Sequence, residues 1–402
     1  MSTTIKHRTA SPIEGALFAV ANAVLRRFAF LRKKLDDAAQ RFVRVAQARA
    51  SAGDVDGALF AYERAFNRSP GNGSLLKEAG QLAYETKRYS DATRFFRRAL
   101  SLDYNDQRAL RGLAFALHAD GSRDEAVYRY FRYLDTNRDD YDALLNLSAL
   151  FLDSGEYEQA IEYSERAGRA DPAKAAPLHN IALAYFNLGK FSEGEASIRR
   201  ALTIDRSGDS LRLLGLLLES QDKTEEALEH YKEACSVSPQ FAQAYLDVAR
   251  LQGELGQYPD YLVNAQKAVE LFKNDDNRDG LEAAYWNLGW AYYSSGEWEK
   301  STEASRKALD LEPNSAPPRF NLALALLFQG QSDEAKKEYK RAVKNSSISN
   351  LKADGIDDLQ AALRKRPDLP GGHECLDLLL TEYGKLETQR LGDSGLTKTQ
   401  PS

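Results

Sequence analysis

The chain has 402 residues, 43% of them apolar, and a formal net charge of −5, enough to bury a substantial core. No run of 18 or more apolar residues is present, which argues against a membrane-spanning helix. The two cysteines, Cys235 and Cys375, are far apart, which excludes a disulfide framework and a cysteine metal cluster and fits a reducing, cytoplasmic setting.

The first 35 residues carry Lys6, Arg8, Arg26, Arg27, Arg32, Lys33 and Lys34 against Glu14, about +6, so the remainder is near −11. Gly15 to Leu25 is uncharged, but Glu14 before it and Arg26-Arg27 after it argue against a cleavable signal peptide. Ile13, Leu17, Val20, Val24, Phe28 and Leu31 fall at helical spacing, which predicts a helix over 12–35 within a basic segment 1–38. Two uses stay open for it. It can cap the next element, or it can meet a partner or an anionic membrane surface through Leu17, Val24 and Phe28 with Arg26, Arg27, Arg32 and Lys33. The acidic body argues against nucleic acid.

From residue 39 to 349 one pattern recurs nine times, in steps of 34 with one of 33 and one of 40. Position 8 of each unit is small throughout: Ala46, Gly80, Ala114, Ser148, Ala182, Gly215, Ala249, Gly289 and Ala323. Position 20 is small except at Tyr261, which suggests looser packing there, and position 27 is Ala except at Tyr133. Position 15 is Gly in seven units, and Pro closes four of them at position 32. Two antiparallel helices that approach closely leave room only for Ala, Gly or Ser at the crossing, with large residues at positions 4, 7, 11 and 24 beside it. No such pair buries its apolar face alone, so neighbours stack.

This pattern resembles the tetratricopeptide repeat, a 34-residue helix-turn-helix, over more than three quarters of the chain. The resemblance implies an all-α fold, a right-handed α-solenoid of about nine repeats with capping helices at both ends. Six extra residues near 273–280 read as a loop insertion between repeats seven and eight. Residues 350–390 read as two capping helices, over 352–366 and about 372–386, and 391–402 as a disordered tail.

No catalytic constellation is legible. The five histidines share no metal spacing, no Gly-rich phosphate loop or nucleophile elbow occurs, and no cofactor or metal is implied. The expected role is a non-catalytic scaffold or adaptor that binds a peptide segment of another protein. A peripheral membrane assembly factor, or a regulatory subunit of an enzyme, is the alternative.

The resemblance implies that the first helix of each repeat lines a concave groove through positions 2, 5, 6, 9, 12 and 13. Position 6 holds Asn146, Asn180, Asn287 and Asn321, four of the chain's 16 Asn in nine places. A carboxamide can bond a peptide N–H and C=O together, so these four are candidates for a peptide clamp; bonding within the solenoid is the other reading. Two of the three Trp, Trp286 and Trp290, take groove positions beside Tyr293, Phe320 and Phe328. This is the composition of a binding hot spot, unless the chain's own cap fills it. Trp298 is expected to pack within the fold. Lys77, Arg108 and Arg111 make the N-terminal half of the groove more basic, suited to an acidic segment. Position 9 carries no Asn, unlike the subtype that clamps a C-terminal carboxylate.

Overall fold

Each repeat turns on one residue. The seven glycines at position 15 (Gly53, Gly121, Gly155, Gly189, Gly256, Gly296 and Gly330) have φ between 71° and 79°. This left-handed region ends a helix without Cβ strain. In the two other repeats Lys87 and Asp222 adopt the same conformation, both at φ 60°. The turn is therefore kept even where a side chain makes it cost about 1–2 kcal/mol.

The structure is a computed structural model that describes residues 12–275 and 277–393; these are helical, with no strand among them. The fold is an all-α solenoid of helix-turn-helix repeats. It divides into two units, residues 1–184 and 185–402. In the first, helices α1 (Pro12–Ser51), α2 (Val55–Arg68), α3 (Gly73–Glu85), α4 (Tyr89–Leu102), α5 (Gln107–Ala119), α6 (Arg123–Leu134), α7 (Tyr141–Asp153) and α8 (Tyr157–Ala170) each pack on the next. Helix α9 (Ala176–Asn187) crosses the division in sequence. The second unit stacks α10 (Phe191–Ile204), α11 (Gly208–Glu219), α12 (Thr224–Val237), α13 (Ala242–Glu254), α14 (Tyr258–Asn274), α15 (Arg278–Ser294), α16 (Trp298–Leu311), α17 (Ala316–Phe328) and α18 (Ser332–Lys344) in the same way.

The small-residue rule has a direct cause. All nine position-8 residues are buried. A Cβ on Gly80 would lie 2.9 Å from the Phe96 ring, and one on Gly215 would lie 2.5 Å from Tyr231. Phe96 and Tyr231 are the large position-24 residues of the same repeats. Their rings occupy the volume that the glycines leave open.

Three expectations are corrected. Tyr261 does not loosen repeat seven: it is 2% exposed, and its hydroxyl donates to the Asn287 carbonyl at 2.7 Å. Gly253, across the hairpin, makes the room, since a Cβ there would sit 3.0 Å from the Tyr261 ring. The described residues of the insertion near 273–280 do not form an extended loop. They lengthen α14 and α15 to 17 residues each, and Asn277 caps α15 by accepting from the Gly280 amide at 2.9 Å. The N-terminal helix is not separate from the first repeat: α1 runs unbroken for 40 residues. Its only break candidates are absent, since no Pro or Gly lies between Gly15 and Ser51.

At the C-terminal end a short α19 (Ile348–Asn350) leads into a π-helical segment, Leu351–Asp357, and then α20 (Asp358–Lys365). The expected helix over 352–366 thus contains a π turn. Helix α21 (Gly372–Asp393) extends beyond the predicted end near 386. It keeps 391–393 helical, and the rest of the predicted tail, 394–402, lies outside the described residues.

Candidate functional site: an aromatic and acidic cleft

Helix α15 presents Trp286, Asn287 and Trp290 along one side. This follows from their spacing, since residues three and four apart share a helix face. Asn321 of α17 stands next to them, with its Nδ2 donating to the Trp286 carbonyl at 3.4 Å. These four line a cleft of about 430 Å³ in the C-terminal unit. Arg250, Gly253 and Glu254 of α13 and Tyr258 and Tyr261 of α14 form a second wall, and Ala353, Asp354 and Asp358 of the C-terminal segment form a third.

The aromatic cluster is split between this cleft and the core. Trp290 stacks on Tyr293 with ring centroids 5.0 Å apart, and Tyr293 meets Phe328 edge-on at 5.4 Å. Phe320 does not face a groove. It is fully buried, packs against Tyr339, and would meet a Cβ on Gly355 at 2.9 Å. The missing side chain at Gly355 is what lets the π segment settle on that ring. Phe328 lies against Trp298, ring centroids 5.1 Å apart, and under the Arg366 guanidinium at 5.4 Å. The C-terminal segment therefore fills part of the expected pocket with the chain's own atoms. It leaves Trp286 and Trp290 to line what remains.

The asparagines are engaged inside the repeats. Asn287 Nδ2 donates to the Ala283 carbonyl at 3.0 Å, and Asn180 Nδ2 donates to Ser148 Oγ at 3.4 Å. Asn146 bonds the Tyr130 hydroxyl. Within the C-terminal unit the carboxamide oxygens of Asn287 and Asn321 accept no hydrogen bond among the described residues. The basic stretch of the N-terminal unit is largely neutralised: Lys77 pairs with Asp106, and Arg111 pairs with Asp142 at 2.7 Å while its guanidinium covers Phe115. Arg108 is exposed.

Charge in the cleft is uneven. Arg250 is held by Glu219 at 2.7 Å and Glu254 at 2.9 Å. Asp354 and Asp358 have no ion pair or side-chain hydrogen bond among the described residues. Burial pushes the Asp354 carboxyl up to about 6. Burial, with Asp354 and Asp357 adding to it, pushes Asp358 up to about 7. Sequence reasoning assigned both to a cap; the signal present was the acidic run Asp354, Asp357, Asp358 beside a glycine, with no basic residue at helical spacing to pair with them.

On α1, Val24, Leu31 and Leu35 are exposed, as are Arg26, Arg27, Arg32 and Lys33. The side chains of Leu17 and Phe28 lie outside the described residues. No described helix is long and apolar enough to cross a membrane.

Profiles described as tetratricopeptide repeat match residues 49–114, 141–174, 179–245, 282–315 and 305–337. The chain is 26% identical over 302 residues to Protein CTR9 homolog of Arabidopsis thaliana, covering 72% of this chain and 27% of that protein. It is 25% identical over 230 residues to the Hsp70-Hsp90 organizing protein of Triticum aestivum, covering 48% of this chain and 39% of that protein. It thus spans well under half the length of these relatives. A tetratricopeptide repeat protein from Parabacteroides merdae superposes with a TM-score of 0.51 at 15% identity, covering 62% of this chain and 99% of that one. This likeness concerns the fold.

Proposed function

We propose, for a chain that belongs to the tetratricopeptide repeat family, a non-catalytic role: it holds a segment of another protein and so recruits or assembles a complex. Proteins built of this repeat act as interaction scaffolds. The observation that carries the reading here is the cleft in the C-terminal unit, where Trp286, Trp290, Asn287 and Asn321 stand together beside two unpaired carboxylates. Partly buried indole faces next to polar groups are the usual anchors of protein interfaces. The test is affinity capture by the full chain and by a Trp286→Ala, Trp290→Ala variant, after circular dichroism shows both to be equally helical. Loss of specific partners in the variant alone is expected. An unchanged partner set sinks the assignment.

A second reading has its own observation. The exposed Val24, Leu31 and Leu35 lie seven and four residues apart on one helix that also bears the exposed Arg26, Arg27, Arg32 and Lys33, as on helices that lie in a lipid interface. Replacing Arg26, Arg27, Arg32 and Lys33 by Gln is expected to abolish sedimentation with vesicles containing 30% (about one-third) phosphatidylserine. Absence of salt-sensitive vesicle binding by the unaltered chain removes this reading.

A further inference from the structure

The cleft has a definite chemical bias. Three carboxylates and one guanidinium line it, and that guanidinium already holds two carboxylates, Glu219 and lining Glu254. Asp354 and Asp358 have no cation of their own. Two further acceptors, the carboxamide oxygens of Asn287 and of Asn321, the latter only 3% exposed, receive no donor. Two indoles and the side chains of Tyr258 and Tyr261 line the same cleft. Carboxylates held away from water without a counter-charge are costly, and indole faces attract cations. The two features converge on one kind of guest.

Resting on the peptide-binding reading above, we propose that this cleft receives the cationic side chain of an arginine or lysine in a basic segment of the partner protein. The guanidinium or ammonium lies against Trp286 or Trp290 and is paired by Asp354 and Asp358, while Asn287 and Asn321 accept N–H groups of the incoming chain. The shape supports this. A volume of about 430 Å³ is at the small end of ligand sites and suits one long side chain with its flanking backbone. Arg250 is already neutralised, so it does not repel the guest. The π turn has a part here as well: Gly355 seats the segment on Phe320, and the residues on either side of that seat are Asp354 and, one turn on, Asp358.

The test uses calorimetric titration of the full chain with acetylated, amidated heptapeptides of Gly and Ser whose central residue is Arg, Lys, citrulline or Glu. Citrulline keeps the shape of arginine without its charge. The Arg and Lys peptides are expected to bind, and the citrulline and Glu peptides to bind at least tenfold more weakly. An Asp354→Asn, Asp358→Asn variant is expected to lose the same tenfold, and Asp357→Asn, at an exposed neighbour, to lose little. Equal binding of the citrulline peptide, no response to either basic peptide, or an undiminished double variant would each overturn the proposal. Free methylguanidinium binding as well as the Arg peptide would reassign the cleft to a small cation and overturn it too. These outcomes are separable from the capture experiment. If Trp286→Ala, Trp290→Ala loses its partners while citrulline binds like arginine, the peptide site stands and its charge preference falls.

Discussion

Phe320→Ala is expected to cost about 3–5 kcal/mol in the C-terminal unit, the range for deleting a fully buried aromatic ring. The ring is completely covered, with Tyr339 on one side and the backbone of Gly355 on the other. Its loss leaves a cavity where the π segment is seated, beside Leu351, Ile356 and Leu359 of the same core, which close it only in part. Hydrogen exchange should therefore accelerate in 351–365 and in α21, while amides of α2 to α8 keep their protection. Because Asp354 and Asp358 ride on the same segment, binding of the arginine peptide should fail with it. Unchanged exchange in 351–365 would mean that the segment is held by something other than Phe320. Phe328→Ala is a useful comparison: Phe328 is only partly buried, and a smaller loss is expected.

The second large effect has the opposite sign. The folded chain holds protons on Asp354 and Asp358 up to about 6 and about 7, whereas an unfolded Asp releases its proton near 3.9. Between these values the native state binds more protons than the unfolded one. Stability from these groups is thus fully present below about pH 4 and is lost as pH rises through about 6 and about 7. The neighbours that face them are Asp357 on their own segment, Tyr293 and Tyr339 from the packed helices, and Arg250 and Glu254 across the cleft. An Asp354→Asn, Asp358→Asn variant is expected to be more stable than the parent at pH 8 by about 1–3 kcal/mol, a figure reduced for partial exposure. The gap should close toward pH 5. Chemical denaturation of both proteins at several pH values gives the difference, in which the other titrating groups cancel. A pH-independent gap would refute the linkage. A gain in stability together with lost peptide binding is the pattern of a site kept at the expense of the fold.

Much of this was legible in the sequence, for physical reasons. Close helix approach admits only small residues at the crossing, so a single chain displayed the repeat nine times over. A left-handed turn favours glycine, so the hairpins were visible wherever Gly stands, and hidden where Lys87 and Asp222 adopt that turn. The indoles of the cleft were found by register alone. The register did not reveal what lies above a position. Phe320 and Trp286 share position 5, yet one is in the core and the other lines a cleft, because the C-terminal segment covers only the former. Asp354 and Asp358 could not be placed either. They belong to no repeat, and the π turn that orients them depends on Gly355 meeting a ring 35 residues earlier.

The exchange at Tyr261 and Gly253 has a consequence for how such an array can change by duplication. In the other repeats the bulk at the hairpin crossing follows a common plan, and one repeat can stand in for another. In the seventh, a large ring at position 20 is matched to a missing side chain at position 12, and the ring's hydroxyl grips the next repeat at the Asn287 carbonyl. Neither residue can be transplanted without the other, and the pair fits only a following helix with a carbonyl in reach. The seventh and eighth repeats are thus a single heritable block, and a copy of that block carries two walls of the cleft but not Asn321 or the C-terminal segment that complete it.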